Sequence, residues 1–181
     1  VGYNRPHAPS IDLIRNNTTD KSLPFTLSCF VTGHYIPEDH WYRDPKEGTR
    51  VCGNLGHWLD LAVHMMCCSD TTVESVEITI AYSDKRTPSD NFSVLITTPR
   101  GDLVALTFSA RNEPFEGVNE SINFQQGELS AKINDHRHIQ IWENENYISK
   151  KYWPKNVGHK NAILQPFDNT RNRDWLELII S

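Results

Sequence analysis

The chain has 181 residues, enough to bury a full hydrophobic core as one domain. With 38% hydrophobic and 23% charged residues, its composition is that of a globular protein and excludes a disordered one. A formal net charge of −5 and the lack of any Lys/Arg run argue against nucleic-acid or anionic-membrane partners, which select a basic surface.

No stretch approaches the roughly 20 apolar residues that a membrane span needs. The four cysteines, Cys29, Cys52, Cys67 and Cys68, form no CxxC pair, and the adjacent two are poorly placed for an ordinary disulfide. Reduced thiols in a cytoplasmic protein are the expectation. Sequons at Asn16, Asn17, Asn91 and Asn119 are those that chance places in an Asn-rich sequence. Val1 is preceded by neither a signal peptide nor an initiator Met, and the chain reads as a fragment of something longer.

The first six residues read as a strand end running into a turn. Pro9 and Ser10 then open a short helix over 11–16, with Pro and Ser where helix starts favour them. Residues 18–24 are loop, and 25–32, rich in β-formers, are a strand. A long polar connection, 33–48, carries His34, Tyr35, His40, Trp41, Tyr42 and Arg43, and loops of this length in compact domains are often functional. It feeds the clearest helix, 50–66. From residue 73 the period changes. Strands are predicted over 73–83, 92–98, 103–110, 121–126, 128–133, 138–143 and 147–153, separated by short turns. A last helix over 158–180 is predicted to kink or break at Pro166.

Strands on two- to five-residue connections pair antiparallel, because a parallel crossover needs a dozen residues or more. The pattern predicts one α+β domain over 1–181, with helices on one face of a large, mostly antiparallel open sheet. The nine glycines never approach GxGxxG spacing, so no dinucleotide-binding domain is encoded here. P-loop, G-x-S-x-G and HExxH patterns are absent too.

On the 50–66 helix, 100° per residue places Leu55, Leu59, Ala62, Val63 and Met66 on a core face. His57, Asp60 and His64 fall opposite, flanked by Trp58 and Leu61, which make that face drier than an outer face usually is. Gly53 and Gly56 are unfavourable in a helix unless something approaches its backbone. His57 and His64 stand two turns apart, roughly 10.5 Å along the axis, and cannot easily share one ion, so no metal is expected there.

Tyr3-Asn4-Arg5-Pro6, His40-Trp41-Tyr42-Arg43-Asp44-Pro45, the run from Gly48-Thr49-Arg50 to His57-Trp58-Leu59-Asp60, and Lys155-Asn156-Val157-Gly158-His159 resemble, in order and spacing, the glucose-fructose oxidoreductase / inositol dehydrogenase (Gfo/Idh/MocA-type) family. The resemblance implies a C-terminal domain of the glyceraldehyde-3-phosphate-dehydrogenase-like kind. Its N-terminal Rossmann domain, which binds NAD or NADP, lies outside this chain, so the chain alone is expected to bind no cofactor and to be inactive. It further implies His57 at the reacting hydroxyl of a sugar, sugar derivative or cyclitol, where a near-neutral imidazole suits proton removal. Asn4 and Arg5 become the turn facing nicotinamide and substrate, Arg50 a substrate-binding cation, Asp60 a group orienting others near His57, Asn54 a pocket residue, and Trp41 and Tyr42 pocket walls. The chain departs from the pattern at Gly53, where many members carry Asp, at Asn54, which replaces a Glu, and at Thr49, which replaces a Gly. The family's E-K-P lysine belongs to the other domain. A homo-oligomer through the sheet is expected, because a single-layer sheet leaves one face in need of cover. The rival reading is a non-catalytic module that uses that face for protein association.

Overall fold

The structure, a computed structural model, describes residues 3–47, 50–69, 73–83, 85, 87, 89–111 and 117–168. Its centre is one eight-stranded sheet: β1 (Phe25–Thr32), β2 (Glu77–Tyr82), β3 (Asn91–Thr97), β4 (Leu103–Ser109), β5 (Asn119–Gln126), β6 (Leu129–Asn134), β7 (His138–Glu143) and β8 (Asn146–Lys151). The spatial order is β2-β3-β4-β1-β5-β6-β7-β8. Seven neighbouring pairs therefore exist, and six are antiparallel. The exception is β1 with β4, which run parallel. The chain between them is long enough to make the crossover that parallel pairing requires. The α+β reading of the sequence holds, and the short turns pair their strands antiparallel as expected.

Alternation builds the core. Val94, Leu106, Cys29, Ile122, Ile133 and Ile139 stand side by side in register across six strands. All are at most 2% exposed. Burying each such side chain stabilises the fold by about 1.5–3 kcal/mol. Helix α1 (Pro9–Asn17) lies over β6 and β7, and contributes Ile11 and Ile14. Pro9 occupies its first turn, as anticipated, but Ser10 does not cap it. The Ser10 hydroxyl instead bonds His136 Nδ1 at 2.9 Å. The opening residues form a 3-10 turn, Arg5–His7, rather than a strand end.

Helix α2 (Gly56–Cys67) is preceded by one π turn, Val51–Leu55. Here the face assignment from sequence holds for Leu55, Ala62 and Met66, which are buried as predicted, and needs correction elsewhere. Trp58, Leu61, Ala62 and Met65, spaced i, i+3, i+4 and i+7, form the buried stripe, whereas Leu59 and Val63 are only partly buried. Asp60 and His64 are buried as well, at 2% and 9% exposure. The helix is covered on most sides, so its polar residues do not mark a wet face. Helix α3 (His159–Asp168) contains Pro166 near its end rather than breaking there, and the remainder of that predicted helix lies outside the described residues.

The opposite sheet face is not the apolar surface expected from a single layer. Ser28, Ser93, Thr107, Ser121, Asn123 and Gln140 point that way, interrupted by Phe30, Leu95, Leu103, Trp142 and Tyr147. At the β2 edge, Ile78, Ile80 and Tyr82 share the helix side with Ile96, Val94 and Phe92, yet are 47–57% exposed. Among the described residues no helix is long and apolar enough to cross a membrane.

Candidate functional site

One end of the sheet gathers the C-terminal ends of β1, β4 and β6 and the N-terminal ends of β3 and β5. The N-terminal turn, the first turn of α2 and the start of α3 meet there. His57 is the second residue of α2, two past the end of the π turn, with its ring edge-on to Tyr3 (centroids 5.2 Å, 70° between planes). Gly56 allows this approach, because a Cβ there would fall on the Tyr3 hydroxyl. His57 Nδ1 is buried and has no hydrogen-bond partner among the described residues. Burial, and then the Arg5 charge, pull the imidazole down from 6.5 to about 4, with His159 adding to the effect and Glu120 opposing it. At neutral pH the ring is uncharged, with a nitrogen free to receive a proton.

Beneath His57 lies a carboxylate that sequence reasoning missed. Glu120, 0% exposed, accepts from Arg5 Nε and Nη2 at 3.0 and 2.5 Å and from Trp58 Nε1 at 2.8 Å. His136 Nε2 stands 3.4 Å from its other oxygen. Burial alone would raise Glu120, but the close approach of His136 and the Arg5 guanidinium overcome it and hold the carboxyl well below its ordinary range. Glu120 shares the inward register of Ile122 and Phe124, and an inward acid on a strand is a signal available in sequence. The predicted strand began one residue too late to include it. Ser10, His136 and Glu120 align like a nucleophile relay, yet each is at most 1% exposed, so no substrate reaches them.

The residues singled out from sequence divide into two groups. Asn4 and Arg5 are at most 8% exposed, and their side chains face the protein. Asn4 donates to the Val157 carbonyl at 2.6 Å and accepts from Arg5 Nη1 at 2.9 Å. Lys155 binds the Val118 carbonyl and Asp135, from the tight turn where Asp135 and His136 both take left-handed φ. Arg50 is 2% exposed, pairs with Asp90 at 3.1 Å, bonds the His34 carbonyl and lies over the Phe108 ring. Asp90 also holds Arg43 at 2.9 Å, which in turn binds the Ile36 and Pro37 carbonyls. Two arginines and one carboxylate thus fix the 33–47 connection, and Asp60 is sealed inside α2's packing.

The accessible group is His57, Asn54, Trp41 and Tyr42. Tyr42 lies over Gly53, where a Cβ would fall on its hydroxyl, so a larger side chain has no room at this position. Trp41, 62% exposed, stacks on Tyr42 at 4.7 Å, and His40 stacks on Tyr42 at 6.2 Å. Asn54 is half-buried on the π turn. No group of three or more His, Cys, Asp or Glu among the described residues is placed to hold a metal. A cleft of roughly 230 Å³ between Asn17 and β7–β8 lies away from His57.

No protein-family model matches the chain, and no curated protein matches its sequence. Solved structures do match it. A Gfo/Idh/MocA family oxidoreductase from Vibrio cholerae aligns over 98% of this chain and 55% of its own, at 14% identity and a TM-score of 0.57. UDP-N-acetylglucosamine 3-dehydrogenase from Acidithiobacillus ferrooxidans aligns over 94% and 53%, at 12% identity and 0.59. A levoglucosan dehydrogenase, in complex with NADH and levoglucosan, aligns over 86% and 47%, at 11% identity and 0.64. The chain therefore spans about half the length of each, and what it shares with that half is the fold.

Proposed function

We propose that the chain is the substrate-side half of an NAD(P)-dependent oxidoreductase of the Gfo/Idh/MocA type, acting on a secondary alcohol of a sugar, sugar derivative or cyclitol. The observation that carries this reading is His57: an uncharged, half-buried imidazole at the sheet end where the N-terminal turn, α2 and α3 converge. In this role His57 takes the proton of the substrate hydroxyl. A dinucleotide-binding half would hold a nicotinamide dinucleotide, which would supply the hydride acceptor. Trp41 and Tyr42 offer an aromatic face for a sugar ring, and Asn54 a hydrogen bond to one of its hydroxyls. Asn4, Arg5 and Arg50 act from beneath, holding the turn and the loop that frame the ring, and Asp60 supports α2. A base near 4 is weak at neutral pH. A developing alkoxide beside the ring would favour its protonated form.

Assembly of two copies through the open sheet face belongs to the same proposal, with Phe30, Leu95 and Leu103 as apolar anchors in a Ser/Thr-rich field. The test uses the purified chain with NAD(P) and a panel of polyols. No turnover and no tight dinucleotide binding are expected, with both appearing once a dinucleotide-binding half is joined. Turnover by the chain alone overturns the proposal.

A further inference from the structure

The buried pair Arg5–Glu120 links three separate parts of the chain at one point. Arg5 comes from the N-terminal turn, and Glu120 opens β5, 115 positions later. Arg5 grips the carboxylate from one side, Nη2 donating to Oε1 and Nε shared between Oε1 and Oε2, a fork that fixes direction as well as distance. Trp58, the residue after His57, donates to the second oxygen and lies under the Arg5 guanidinium at 5.4 Å. Tyr3, two residues before Arg5, closes the ring of contacts by packing on His57. Burying two charges is costly, and an apolar pair of similar size would often stabilise the fold as well. Stability alone therefore does not account for a charged fork at this place.

We propose that Arg5 and Glu120 are positioning residues for His57, fixing the first turn of α2 through Trp58 and setting the local field that the imidazole experiences. The inference rests on the reading of His57 as the proton-handling group. The groups facing that ring are Tyr3 and Arg5 from the N-terminal turn, Glu120 from β5 and His159 from α3. Arg5 opposes a charge on His57 and Glu120 favours one, so the two members of the pair act on the ring with opposite sign.

That opposition separates positioning from simple support. Titration of isotope-labelled histidines by nuclear magnetic resonance, on the chain itself, reads His57 without any need for turnover. Arg5→Met is expected to raise the His57 midpoint from about 4 by on the order of one unit, tenfold in proton affinity. Glu120→Gln is expected to lower it, and the double variant to return it close to the original value. If both single variants move His57 upward toward its ordinary 6.5, the pair only holds the packing closed and the inference falls; it falls equally if neither variant moves the midpoint. Where Arg5→Met fails to fold, Arg5→Lys keeps the cation and loses the fork: His57 should stay near 4, and a return toward 6.5 overturns the inference. Because this readout is independent of catalysis, an inactive-site result at His57 and a failed link to Glu120 are distinguishable.

Discussion

Gly158 offers a quantitative test of how the site end is held together. Its φ is +90°, and a Cβ there would meet the His7 carbonyl carbon at 2.5 Å and the Ala8 nitrogen at 2.6 Å, and would collide with the Asn4 carbonyl oxygen. These are backbone atoms and cannot swing aside as a side-chain tip can. For Gly158→Ala, the left-handed backbone costs about 1–3 kcal/mol. The overpacking adds about 1–3 kcal/mol, and prising the segment away strains the Asn4–Val157 hydrogen bond, worth about 1 kcal/mol. The sum is about 3–7 kcal/mol, a large share of the 5–15 kcal/mol by which domains are ordinarily stable. Gly101→Ala is the internal control. Its φ is +100°, but the nearest atom to a Cβ is Pro24 Cβ at 3.5 Å, so only the backbone penalty of about 1–3 kcal/mol applies. Urea unfolding followed by tryptophan fluorescence and circular dichroism measures both variants. Equal losses in the two would refute the reasoning, since they would show that the contact with residues 4–8 contributes nothing.

Three further outcomes concern the ion pairs and the titrating groups. Asp90→Ala leaves the buried Arg50 and the partly buried Arg43 without their shared carboxylate, and should cost about 3–5 kcal/mol in urea unfolding while speeding proteolysis within residues 33–47. His57 is depressed from 6.5 to about 4, so its contribution to stability is complete above pH 6.5 and is lost as pH falls from 6.5 through 4. The chain should lose stability over that window, and His57→Asn should flatten the slope. Glu120 is depressed below its ordinary 4.5, so a second loss begins below pH 4.5, and Glu120→Gln should remove it. A flat urea midpoint from pH 7 to 4 contradicts the His57 account, and no further fall below pH 4.5 contradicts the Glu120 one.

How much of this was legible in the sequence depends on the range of the interaction that decides each element. β1 and β7 have the predicted bounds, because alternating burial against one helix layer is written residue by residue in their side chains. The orientation of α2 was not legible. A π turn over Val51–Leu55 shifts the phase of the helix it opens, and burial on several sides lets Asp60 and His64 sit where an amphipathic pattern forbids them. The motif residues Asn4, Arg5, Arg50 and Lys155 stood out from the chain, but their roles did not. Arg5 meets Glu120 across 115 positions, and Asn4 meets Val157 across 153, pairings that only the folded sheet brings together. The helix-borne His57 beside Gly53 and Gly56 was readable, since glycines in a first turn announce that something lies close, here Tyr42 and Tyr3.

The central claim is that His57 handles the proton while a dinucleotide held by another half takes the hydride. The most direct measurement joins this chain to a dinucleotide-binding half and compares steady-state oxidation of a polyol substrate by the His57 protein with that of His57→Asn. The account predicts a fall of about 10²- to 10⁴-fold in kcat with dinucleotide affinity unchanged. Undiminished kcat in His57→Asn contradicts it.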